Sequence, residues 1–221
     1  MGSHHRHKKP GEASAPQTQG AVWNWAWRYD LLLGLATLGK EQAFRRRIAD
    51  LARLHPGEAV LDVGCGTGTL AIEACERVGA PPGYVTGIDP SVQMIARARR
   101  KAERASLPIV FQVGVIEHLS FPNQSFDVVL STFMMHHLPD DLKRQGLAEI
   151  ARVLKPGGRL LVLDLKGHTG PWKSSIQDQL TLLKEAGFSQ VERGETRFFG
   201  FPGLGFVKAQ KSPAGEGRAA L

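Results

Sequence analysis

Residues Val60–Gly68 read VLDVGCGTG. Apolar residues alternate around a single carboxylate, Asp62, which is the pattern of a short buried strand. The glycines that follow force a tight turn into the apolar-periodic stretch Thr69–Val78. Strand, glycine turn and helix together make an anion-binding device, because glycine lets the backbone approach a ligand and a helix N-terminus offers unpaired N–H groups. The spacing Gly64, Gly66, Gly68 puts Thr69 where the dinucleotide fingerprint G-x-G-x-x-G needs its last glycine. That argues against a pyrophosphate ligand, and with it against a nicotinamide dehydrogenase.

The next strand-like stretch, Tyr84–Asp89 (YVTGID), ends in a second acidic residue about 20 residues beyond the glycine turn, where nucleoside binders place a ribose-hydroxyl acceptor. A nucleoside with an amino-acid tail fits both facts. On VLDVGCGTG, GIDPS, SFDVVLS and Glu149–Leu163 (EIARVLKPGGRLLVL), the chain resembles the class I S-adenosylmethionine-dependent methyltransferases. It stands close to the group that includes the ubiquinone- and menaquinone-C-methylating and phospholipid N-methylating enzymes. The resemblance runs from about Tyr29 to Lys208. It implies S-adenosyl-L-methionine as cofactor and a Rossmann-like, doubly wound α/β fold whose seven-stranded sheet has the order 3-2-1-4-5-7-6 with strand 7 antiparallel.

The rest of the chain fits that architecture. Residues 1–20 have almost nothing to bury and read as a disordered leader, with MGSHH resembling a purification tag, so their histidines carry no metal argument. Residues 21–57 are expected to form a helical lid. They hold Trp23, Trp25, Trp27 and Tyr29 and then an amphipathic helix over Lys40–His55 with Arg45–Arg47 turned outward, and packing on the core is the alternative reading. Residues 58–211 form the cofactor-binding domain. Strands are expected near 58–63, 84–88, 109–113, 126–131 and 159–165, alternating with helices near 69–78, 91–105, 141–154 and 175–187, a pattern that makes a parallel sheet with right-handed crossovers. Pro156-Gly157-Gly158 predicts a sharp turn into the fifth strand. Gln190–Gly200 and Leu204–Gln210, joined by Phe201-Pro202-Gly203, predict an antiparallel hairpin. Residues 212–221 are a flexible tail.

Ligands of such sheets lie over the carboxyl ends of the strands. Gly64, Cys65, Gly66 and Gly68 are expected beneath the methionyl part, with main-chain N–H groups toward its carboxylate. Asp62 faces the ammonium or caps the turn. Asp89 accepts from the two ribose hydroxyls, since a carboxylate offers two acceptor oxygens to a cis-diol. Pro90 and Met94 wall the adenine, with Met94 equally suited to the core. The resemblance also implies that Tyr29 approaches the methionyl end, that carbonyls around Thr132 take the ammonium, and that the amide of Ile116 serves the adenine ring. The aspartate usual after Gly114 is here Val115, so the adenine amino group loses an acceptor for which Glu117 is the nearby substitute. His136 and His137 are the candidate catalytic bases, imidazole titrating near neutrality, or else a structural run before the next helix. No metal ligand set is read.

The chain has 221 residues, a formal charge of +7 and a pI near 9.7. Basic residues at both ends and on two expected helices leave open a peripheral contact with an anionic membrane. Nucleic acid is disfavoured as a partner, because no Pro-Pro-aromatic run or Pro-Cys pair follows the fourth strand. Two cysteines close in one motif, no apolar run of roughly 18 residues and no signal-like segment predict a cytoplasmic protein. The expected activity is in-line methyl transfer to a small apolar or amphipathic acceptor, such as a quinone precursor or phospholipid. An RNA or protein methyltransferase and a non-catalytic cofactor-binding module are the alternatives, and the oligomeric state is not legible.

Overall fold

The computed structural model describes residues 39–79, 81–165, 176–198 and 201–213. In chain order the elements are α1 (Glu41–Ala52), β1 (Ala59–Val63), α2 (Thr69–Val78), β2 (Tyr84–Asp89), α3 (Val92–Arg104), β3 (Val110–Val113) and β4 (Phe126–Thr132). A 3-10 turn (Met135–His137), α4 (Asp140–Val153), β5 (Leu154–Leu165), α5 (Ile176–Glu185), β6 (Phe188–Phe198) and β7 (Phe201–Lys211) complete them. They build one seven-stranded sheet in the order β3-β2-β1-β4-β5-β7-β6. Strands β1 to β5 pair in parallel, and β7 runs antiparallel to both β5 and β6.

Alternation along the central strands divides the core in two. Val60, Val128, Leu130, Leu161 and Leu163 pack with apolar residues of α1, α2 and α3 on one face. Leu61, Val63, Val129 and Leu160 pack with those of α4 and α5 on the other. All five residues of β1 are buried, as a central parallel strand covered on both faces requires.

Glycines set how closely these layers approach. Gly68 has φ +78°, and a Cβ there would lie 2.6 Å from the Phe111 ring and 2.8 Å from Ala98 Cβ. Gly68→Ala should therefore add overpacking to a left-handed backbone and cost about 2–4 kcal/mol. Urea unfolding measures this, and a change below about 0.5 kcal/mol would show that α2 and α3 shift freely.

Three segments differ from the sequence expectation. The fifth strand begins at Leu154, because Leu154 pairs with Phe126 before Arg159 resumes pairing at Val128. The Pro156–Gly158 segment is therefore a bulge within the strand, made possible by Gly157 at φ +74°. Phe201 pairs directly with Phe198, so Phe201-Pro202-Gly203 opens β7 rather than connecting the hairpin, and the register shift there accommodates a proline that lacks an N–H. Helix α1 is part of the core: Phe44, Ile48, Ala49 and Ala52 are buried, and Arg159 donates to the Ala52 and Arg53 carbonyls at its end. Its Arg46 and Arg47 are exposed, but Arg45 is half-buried against Glu41. The aromatic run 21–38, including Tyr29, lies outside the described residues.

Candidate cofactor site at the carboxyl edge of the sheet

Asp62, the fourth residue of β1, is fully buried, and among the described residues neither of its carboxylate oxygens makes a well-formed hydrogen bond. Burial first, and then the nearby charge of Asp89, pushes its pKa from 3.8 up to about 7, while the Ala71 amide in the first turn of α2 acts in the opposite sense. An orphaned buried carboxylate in the middle of a core is costly, and a cation placed against it would remove that cost.

Asp89 closes β2. Its Oδ2 accepts from the Gly66 N–H at 3.0 Å and its Oδ1 from the Ser91 N–H at 2.9 Å. Each oxygen thus keeps a second lone pair for a ligand hydroxyl. Burial raises its pKa to about 6, with the Ser91 and Gly66 amides restraining the rise.

The glycine loop is fastened to β2 rather than presenting its amides outward. Gly64, Gly66 and Gly68 all have positive φ. The Gly64 and Cys65 N–H groups both donate to the Ile88 carbonyl at 2.9 Å, Gly66 N–H goes to Asp89, and Gly68 N–H goes to the Cys65 carbonyl at 2.9 Å. The expected row of amides facing a ligand carboxylate is therefore corrected. A loop this tightly curled satisfies its donors internally, because a buried amide without a partner is costly. The Cys65 thiol joins the α1–α3 side of the core, and burial followed by the charges of Asp62 and Asp89 drives its pKa up, which makes it inert.

A cleft opens beside this loop, lined by Gly64, Pro90, Val115, Ile116, Glu117 and His137 among others. Four of the residues expected at the cofactor, Gly64, Pro90, Val115 and Ile116, are brought together there. Met94 is 3% exposed and is not among the lining residues; its amide donates to the Ser91 hydroxyl that caps α3, so its place is in the packing. Thr132 ends β4, half-buried, beside the residues that turn into the cleft. At the cleft wall the Ile116 amide has no hydrogen-bond partner among the described residues, and the buried Oε2 of Glu117 has none either. A donor and an acceptor one residue apart suit the ring-nitrogen and amino edge of adenine.

The segment after β4 folds back over the loop. Phe133 adopts φ +53°, a strained conformation for an aromatic residue, and its N–H donates to the Leu163 carbonyl at 2.9 Å. That turn lays Met134 across Gly64, where a Cβ would fall 2.7 Å from Met134 Cγ. It also brings His136 to Asp164 at the end of β5: the His136 N–H donates to Oδ2 at 3.0 Å, and its Nδ1 lies 2.6 Å from Oδ1. The His136 and His137 rings are 3.8 Å apart. Burial, then the neighbouring His136, lowers the His137 pKa, with Asp164 opposing, so His137 is neutral around pH 7. Asp164 was not singled out from the sequence. Its signal was there, since an apolar run carrying one aspartate near its carboxyl end (LLVLDL) repeats the pattern that marked Asp62 and Asp89.

Residues 60–158 match a family model described as a methyltransferase domain. A demethylmenaquinone methyltransferase of Deinococcus radiodurans is 44% identical over 137 residues, which are 62% of this chain and 55% of that protein. The chain thus spans a little over half the length of that curated relative. Among solved structures, phosphoethanolamine N-methyltransferase 2 of Haemonchus contortus, in complex with S-adenosyl-L-methionine, superposes with a TM-score of 0.69 at 19% identity over 85% of this chain and 56% of that one. The 4+2 cyclase SpnF superposes with a TM-score of 0.67 at 22% identity over 79% of this chain and 82% of that one. The described residues therefore share the fold of these structures, with the sheet order and antiparallel β7 expected from the sequence.

Among the described residues no helix is long and apolar enough to cross a membrane, and no group of His, Cys, Asp and Glu side chains could hold a metal ion. Basic residues on α3 are partly committed within the fold: Arg99 donates twice to the Phe111 carbonyl, and Lys101 donates to the Thr67 hydroxyl at 2.8 Å.

Proposed function

We propose that the protein is an S-adenosylmethionine-dependent methyltransferase acting on a small quinol of the demethylmenaquinone class. The observation that carries the cofactor is Asp62, a fully buried carboxylate whose oxygens make no well-formed hydrogen bond among the described residues, which suits the ammonium of an amino-acid tail. Asp89 would hold the ribose hydroxyls, and Pro90, Val115 and Ile116 the adenine. Bound there, S-adenosylmethionine supplies an electrophilic methyl group on a sulfonium. The chain's own residues align the partners and exclude water, which is most of what an in-line displacement needs. The acceptor class rests on the 44% identical Deinococcus protein. We further place the protein in the cytoplasm, with peripheral access to an anionic membrane where so apolar an acceptor resides.

Calorimetry with S-adenosylhomocysteine, followed by mass spectrometry of a short-chain demethylmenaquinol incubated with S-adenosylmethionine, tests the reading. Cofactor binding without methyl transfer to any quinol would favour chemistry other than methylation on this fold, as the cyclase resemblance allows. Loss of binding would remove the reading altogether.

Glu117 is assigned as the acceptor for the adenine amino group, in place of the aspartate that Val115 displaces. Glu117→Ala should weaken S-adenosylhomocysteine by roughly ten-fold, the worth of a hydrogen bond to a charged group. The wild type should also reject the inosine analogue, whose carbonyl faces the carboxylate, and the variant should lose that discrimination. Equal discrimination in both proteins would assign Glu117 to the rim only.

A further inference from the structure

The strongest unassigned cluster is the contact between the ends of β4 and β5. Asp164 binds His136 twice, at the backbone N–H (3.0 Å) and at the ring Nδ1 (2.6 Å), so both the position of the residue and the orientation of its ring are fixed by one carboxylate. An ionised Asp164 accepts from Nδ1–H, and in the neutral form of the ring that leaves the lone pair on Nε2. Nε2 has no hydrogen-bond partner among the described residues, and the side chain is 29% exposed at the carboxyl edge of the sheet, where such folds place their ligands. His137, its ring centroid 3.8 Å away and its plane tilted by 45°, lines the cleft, so the pair sits beside the candidate cofactor site.

We propose that Asp164 is a positioning residue that holds His136 as the general base for an acceptor that must lose a proton, which selects hydroxyl-bearing nucleophiles such as a hydroquinone. This rests on the methyltransferase reading and deepens it. As the ring carbon of the acceptor forms its new bond to the methyl group, the carbon–sulfur bond breaks with its electron pair left on sulfur. The acceptor hydroxyl proton passes to Nε2, giving an imidazolium. The hydrogen on the methylated carbon then leaves to solvent as a proton while solvent returns a proton to the oxygen, so the sum is one methyl group gained and one proton released from His136 to solvent. Asp164 stabilises the imidazolium while it lasts, as a buried carboxylate beside an imidazole does in hydrolytic triads.

The test compares wild type, Asp164→Asn and His136→Gln, using S-adenosylhomocysteine for binding, a short-chain demethylmenaquinol for turnover, and nitrogen-15 NMR for the ring tautomer. In the wild type His136 should show a single Nδ1–H tautomer with a downfield Nδ1 proton, and in Asp164→Asn that signature should be lost. Asp164→Asn should lower kcat by about 100-fold or more, the usual share of a positioned base, with KM and S-adenosylhomocysteine affinity within about three-fold of wild type. His136→Gln should fall as far. Turnover within about three-fold in Asp164→Asn, or a mixed tautomer in the wild type, overturns the proposal alone. A kcat loss matched by an equal loss of cofactor affinity assigns Asp164 a merely structural role and also overturns it. A wild type that methylates no quinol defeats the methyltransferase reading instead, and the base role falls with it.

Discussion

Asp89→Ala is expected to weaken S-adenosylhomocysteine binding by ten-fold or more and to lower thermal stability at the same time. The two effects share a cause. The carboxylate fastens the glycine loop through the Gly66 N–H and caps the start of α3 through the Ser91 N–H, and on each oxygen it keeps one lone pair for a ribose hydroxyl. Removing an acceptor of this charged type costs about 1.5–3 kcal/mol of binding. The orphaned amides add about 1–2 kcal/mol of folding cost, moderated by solvent reaching a site that is only half-buried. An analogue lacking both ribose hydroxyls separates the contributions. The wild type should bind it more weakly than the parent compound by the ribose share, whereas the alanine variant should bind the two alike. The same preference in both proteins would confine Asp89 to holding the loop.

The parts of the site that the sequence declared are those whose geometry is set within a few residues. A strand, three glycines at positive φ and a helix cannot be arranged otherwise over residues 60–78, and Asp89 is placed by the strand that must pair alongside β1. The parts that stayed hidden depend on partners far along the chain. Nothing near Gly64 tells that its amide is taken by Ile88, because that bond forms only when β2 docks against β1. The contact of His136 with Asp164 joins residues 28 apart through the pairing of β4 with β5. Likewise β5 starts at Leu154 because Phe126 offers it a partner there, which the local Pro-Gly-Gly signal for a turn could not reveal. Where the apolar face of α1 docks was equally hidden, since Phe44 finds Phe133, with ring centroids 6.0 Å apart, at the very turn that ends β4.

Asp62→Asn is expected to separate stability from function. The folded-state pKa of Asp62, about 7, lies above its ordinary value of 3.8, so without ligand its contribution is fully present below pH 4 and is lost as pH rises through 7. A difference of that size corresponds to about 4 kcal/mol of destabilisation once the group is ionised. Asparagine cannot ionise, and although its buried amide is itself unsatisfied at a cost of about 1–3 kcal/mol, the variant should be the more stable protein at pH 8 by of order 1 kcal/mol. At pH 5, where the wild-type group is largely protonated, that advantage should vanish. Cofactor binding should move the opposite way. An ammonium placed against the ionised carboxylate recovers the cost that the empty core bears, so the variant should lose ten-fold or more in affinity. In the wild type, binding near pH 7 should also release a fraction of a proton as Asp62 is forced to ionise, visible as a calorimetric heat that depends on the buffer. Thermal unfolding at pH 5 and 8, with titrations in two buffers of different ionisation enthalpy, checks all three signs. A variant less stable than wild type at pH 8, or equal affinity with no proton release, would mean that Asp62 is satisfied within the fold and that the ammonium binds elsewhere.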